Sequence, residues 1–160
     1  MEGILNTVRQ VSRLLNIIAG ASITFIMLLT VSDVILRLFR RPIVGTYELV
    51  AFTGALVIGF ALPLTSWMRG HIFVDFVILK LPGKLQAAFH IATRCAGILL
   101  FYLVAKNLIN VGMDLQKSGE VSPTLHLPFY YVAFAVAISC FVQCLVLLCD
   151  IVKIFGGKYE

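Results

Sequence analysis

The sequence is short of charge. Only 13% of its 160 residues are Asp, Glu, Lys or Arg, about half the share found in soluble domains, which excludes a self-standing water-soluble fold. Acids are scarcer still, eight in all, and each lies at the end of an apolar run or between two runs. Proton-coupled carriers place an acid deep within a span, so this chain lacks the group that would move a substrate alone. There is no H-E-x-x-H, no Walker loop and no Gly-rich nucleotide fingerprint. Haem ligation would need paired histidines at mid-membrane depth, whereas His71 and His126 fall between runs and His90 near a run's end. No Ser or Cys nucleophile accompanies His71 and Asp75 at a recognisable spacing, so the chain reads as no enzyme and as lacking a cofactor or metal site. The four cysteines, Cys95, Cys140, Cys144 and Cys149, sit in apolar stretches. The C-x3-C-x4-C order of the last three is neither a redox pair nor a zinc pattern, and they read as small apolar side chains.

Apolar residues, by contrast, make up 60% of the chain, and its mean hydropathy is +0.98. Three uncharged runs, 14–32, 49–68 and 127–149, have 19, 20 and 23 residues, each close to the ~20 needed to cross a ~30 Å hydrocarbon layer. A fourth, 85–111, is interrupted by Arg94 and Lys106. It is expected to be a long tilted helix whose two cations snorkel to opposite surfaces, the alternative being that Arg94 faces a neighbouring helix. The expected fold is therefore an all-α integral membrane domain over 1–160, with spans at about 14–36, 47–68, 85–111 and 127–152. The basic N-terminal stretch resembles the start of a signal peptide, but the apolar run behind it is too long for a cleaved one and reads as a retained first helix.

Loop charges give the orientation. The two termini and the 69–84 segment carry Arg9, Arg13, Arg69, Lys80, Lys84, Lys153 and Lys158; the opposite side carries Arg37, Arg40, Arg41 and Lys117. Both termini are expected in the cytoplasm.

The chemistry-bearing residues gather at helix ends. Asp33 and Arg37, four apart on one face, can pair. Arg40, Arg41 and Pro42 then stop the first helix, with Thr46 expected as the N-cap of the second and Glu48 in its first turn. These residues serve either as caps and anchors or as grips for a partner subunit. The 69–82 segment is expected to form a short interfacial helix between spans two and three. It would gather Arg69, Lys80 and Lys84 toward lipid phosphate and turn the His71–Asp75 pair toward protein. In the last loop Ser122-Pro123 gives a turn, and Pro128 suits the first position of the fourth helix.

In these segments the chain resembles the small membrane subunit of tripartite ATP-independent periplasmic (TRAP) transporters, the DctQ-type family. The resemblance rests on Asp33 and Arg37, Arg41-Pro42-Ile43, Gly45-Thr46, Glu48-Leu49, Arg69-Gly70-His71, Val74-Asp75, Leu81-Pro82, Gly119-Glu120, Ser122-Pro123 and Leu127-Pro128, in order along nearly the whole chain. It implies a multi-pass protein of a bacterial or archaeal inner membrane, a non-catalytic scaffold bracing a large membrane subunit. That partner would hold the substrate and Na⁺ sites for symport, and a periplasmic binding protein would deliver an organic or sugar acid. Asp33, Arg37, Glu48, His71 and Asp75 are then candidate contacts to the large subunit. Arg40 and Arg41 are candidates for docking the binding protein, against the alternative that they anchor helix one at the headgroups. Two other functional classes fit a small four-span chain: a homodimeric multidrug-type exporter, which should bear an acid within a span, and a membrane anchor of a redox enzyme, which should bear histidine pairs.

Overall fold

A computed structural model describes residues 2–68 and 83–155, with the side chains of 3, 5–68, 89 and 91–152. Four helices account for nearly all of it: α1 (Glu2–Leu38), α2 (Thr46–Trp67), α3 (Gly83–Ser118) and α4 (Tyr130–Phe155). All four are long and apolar enough to cross a membrane. Among the described residues the one β-type pairing is an isolated bridge between Val121 and Pro128. The expected interfacial helix over 69–82 lies outside the described residues, as do Arg69, His71, Asp75, Lys80 and the side chain of Lys84.

The helices alternate in direction and lie in the order α1, α2, α4, α3, with α1 also touching α4. At one end Val8 of α1 meets Val146 and Cys149 of α4, with Leu5 and Trp67 packed against them. The other end carries the α1–α2 and α3–α4 loops.

α1 reaches further back than the apolar run suggested. At ~1.5 Å rise per residue its 37 residues span roughly 55 Å. Apart from Asn16 beside Leu15, its covered positions, Leu5, Val8, Ser12, Leu15, Ala19, Ser22, Ile26, Leu29 and Asp33, recur at alternating intervals of three and four. That is the narrow seam by which one helix rides along another. Arg9 and Arg13 fall off this seam and are exposed, so the stripe continues past them and the helix continues with it.

α4 is the inner helix, and small or polar residues let its neighbours approach. Pro63 lies buried within α2. Proline has no N–H to give the carbonyl four residues back, so the Gly59 oxygen is freed inside the membrane. The Ser139 hydroxyl of α4 donates to that oxygen at 2.6 Å. Gly59 is also where the two helices come close: a Cβ there would stand 3.1 Å from Val136. Further along, the Gln143 amide donates to the Ser66 hydroxyl. Against α3, Gly112 admits the Phe134 ring, Gly97 admits Leu147, and the Cys144 thiol approaches the Ile98 carbonyl at 3.7 Å.

Arg94 does not snorkel away. Its Nε stands 3.4 Å from Asp150 Oδ2, with side chains 12% and 4% exposed. The guanidinium faces α4 because a buried carboxylate waits there, and pairing costs less than leaving either charge alone in hydrocarbon.

Between α2 and α3, floored by α4, lies an open apolar groove of about 560 Å³, lined by residues such as Ala55, Leu62, Leu108 and Val136.

Candidate functional site

The two-loop end holds every described residue singled out for contact with a partner. The α1–α2 connection turns on Asp33, which is buried. Its Oδ2 accepts Arg37 Nε at 2.8 Å and its Oδ1 accepts the Ile43 amide at 2.8 Å. One carboxylate thus fixes the last turn of α1 and the chain ten residues on. The Arg37 side chain is half exposed and its guanidinium lies 5.6 Å above the Tyr47 ring, a cation–π distance.

Thr46 is not the N-cap expected from its sequence position. Gly45 takes that place with φ 82°, and Thr46 begins the helix, its hydroxyl donating to the Ile43 carbonyl at 3.0 Å. A left-handed residue is needed at the cap, and glycine adopts it without the clash a Cβ brings. Space demands glycine as well, because a Cβ there would meet Leu125 at 2.5 Å.

Glu48, in the first turn of α2, accepts three donors from the α3–α4 loop. They are the Ser122 hydroxyl, the Thr124 amide at 2.8 Å and the Leu125 amide at 3.0 Å. That loop is closed on itself by Ser122 N to Leu127 O at 2.9 Å and His126 N to Ser122 O at 3.0 Å. Pro128 belongs to this closure, bridging to Val121. It does not open the last helix, which starts at Tyr130. Below the loops the Phe52 and Phe129 rings meet edge to face, centroids 5.1 Å apart.

Arg40 and Arg41 are exposed. Arg40 has φ 57°, a region that costs a residue with a Cβ roughly 1 kcal/mol and glycine nothing. Among the described residues no group of three or more His, Cys, Asp and Glu side chains is placed to hold a metal ion.

The geometry joins two stretches, around Glu48 and around Ser122, that stand 74 positions apart. Sequence reading singled out both and had no signal that one binds the other. It also missed Gly45 as the cap, although a glycine directly before a capping-type residue leaves both assignments open.

Four spanning helices with both loop segments fastened by carboxylates define a multi-pass membrane bundle. The family described as "Tripartite ATP-independent periplasmic transporters, DctQ component" matches residues 26–157. The chain belongs to that family: it is a TRAP transporter component and a multi-pass protein of the inner membrane. No curated protein and no solved structure matches it.

Proposed function

We propose that the chain is the non-catalytic brace of its transporter, a fixed wall against which the large membrane subunit moves substrate and Na⁺. The observation that carries this reading is the fate of three acids at the ends of its spans. Asp33, Glu48 and Asp150 are each engaged in bonds that hold helices or loops of the chain itself, so they serve the bundle and not a transport path. With Asp33 and Glu48 turned inward, their influence on the large subunit runs through the loops they shape, and the half-exposed Arg37 with Tyr47 is the part that can touch it. In the same reading His71 and Asp75 serve contact with the large subunit, and Arg69, Lys80 and Lys84 serve contact with lipid phosphate.

Both termini face the cytoplasm in this reading, seven basic residues against four favouring that side. The two-loop end then meets the periplasm, where Arg40 and Arg41 receive the binding protein carrying an organic or sugar acid. A left-handed arginine where glycine would be cheaper supports a role for the Arg40 side chain.

Proteoliposomes test the brace. Uptake is expected only when this chain, the large subunit and the loaded binding protein are all present, and uptake by this chain alone would overturn the reading. An R40E/R41E double variant tests the docking. It is expected to assemble normally and lose most uptake, more so at low ionic strength, where charge is least screened. Normal uptake at normal expression removes the docking role.

A further inference from the structure

The two loops are joined more firmly than a connection between separate helices requires. Two successive backbone amides and a hydroxyl converge on one Glu48 carboxylate. An ionised carboxylate accepts only and has two oxygens, so it can serve all three donors, whereas Gln would turn an N–H₂ toward some of them. The Gly45–Leu125 approach adds a second seam, and it explains why 122–125 lies flush against the start of α2. Around that seam the side chains point outward: Val44 is 68% exposed and Tyr47 78%, and Thr124 and His126 are exposed beside Leu125. An exposed tyrosine with an arginine over its ring and an apolar neighbour is the composition of protein contact surfaces. His126 holds φ 53°, a conformation that the loop's own hydrogen bonds and its fastening to Glu48 sustain.

We propose that Glu48 is a positioning residue. Its carboxylate fuses the two loops into one platform, so that the 119–128 loop forms the second half of the docking surface that Arg40 and Arg41 begin. The occupant is a soluble protein whose acidic face meets Arg40 and Arg41, while the loop, whose one formal charge is the exposed Glu120, adds apolar and hydrogen-bonding contact; the proposal rests on the docking reading given above. If the clasp served stability alone, loosening it would lower the amount of assembled transporter and leave the affinity of the assembled fraction for its soluble partner untouched.

The test uses the complete transporter with Glu48→Ala, Glu48→Gln, Ser122→Ala and R40E/R41E. Two readouts are taken: hydrogen exchange at the Thr124 and Leu125 amides, and uptake against binding-protein concentration. Glu48→Ala is expected to speed exchange at both amides by about tenfold or more, as loss of a local fastening does. It should raise the half-saturating binding-protein concentration by roughly fivefold to tenfold with the maximal rate kept, since each tenfold is a loss of contact of the size a few hydrogen bonds supply. Glu48→Gln and Ser122→Ala follow in the same direction with smaller effect, and they carry the test if Glu48→Ala does not assemble. Unchanged exchange, or faster exchange with unchanged half-saturation, overturns the inference. R40E/R41E alone raising half-saturation would leave the arginine docking intact and sink the positioning role. Glu48 variants alone raising it would do the reverse.

Discussion

α1 and α4 are both long apolar helices, and hydropathy scarcely separates them, 2.2 against 2.6 over their most apolar windows. Burial does: 11% of that window in α1 is buried and 44% in α4. The difference follows from side-chain size and polarity. α4 offers Ala137, Ser139, Cys140, Gln143 and Cys144 toward its neighbours, small residues that let backbones close in and polar ones that bond across helices. α1 spends its bulk outward, with Ile17, Met27 and Leu28 each about two-thirds exposed, and keeps only its seam for the bundle. Apolarity admits a helix to the membrane; the small and polar minority decides its place there.

Substitutions at matched positions put that contrast at risk. The largest effect is expected at the buried pair. Arg94→Met strips Asp150 of a cation in a site 4% exposed, a change of about 3 kcal/mol. Arg94→Met with Asp150→Leu should recover most of it, and thermal unfolding in detergent reads both. If the single variant is as stable as the parent, the pair does not hold α3 to α4. Next comes one substitution made twice. Gly112→Ala places a Cβ 2.7 Å from the Phe134 ring, which costs about 1–3 kcal/mol by overpacking. Gly20→Ala on α1 meets open space and should be neutral or stabilising by up to ~1 kcal/mol. Equal midpoints would erase the distinction between the face that α4 packs against α3 and the outer face of α1. Ser139→Ala leaves the Gly59 carbonyl without its donor and should cost about 1–2 kcal/mol. Adding Pro63→Ala, which restores the intrahelical N–H, is expected to cancel most of that loss. The smallest effect is expected at Leu28→Ala on α1, 64% exposed, within about 0.5 kcal/mol of the parent. A shift several times larger would mean that α1 is held by more than its seam.

Four spans were readable from hydropathy because crossing a membrane depends on length and apolarity, both of which a sequence states directly. Partners were not. Arg94 in an apolar run is consistent with snorkelling or with pairing, and only the fold brings Asp150, 56 positions later, to its side. Helix α1 begins ahead of the uncharged run because its stripe of covered residues passes behind Arg9 and Arg13, which a search for uncharged stretches does not follow. At the loops the Asp33–Arg37 pair was legible, since four residues along a helix is one face. The Glu48 clasp was not, because nothing local to Glu48 points to Ser122. Pro128 and Thr46 were placed by rules for helix starts, and in each case a neighbouring backbone constraint prevailed: the Val121 bridge for Pro128 and the left-handed Gly45 for Thr46.

The side-by-side order α1, α2, α4, α3 has a consequence for area. Four cylinders gathered in a square hide much of one another and leave a post. Set in series, with α1 resting on α2 and touching α4 and with α3 packed on α4, they leave the outer flanks of α1 and α3 to whatever lies outside. A chain of 160 residues thereby presents two broad faces across the thickness of a bilayer, more frontage than its mass would suggest.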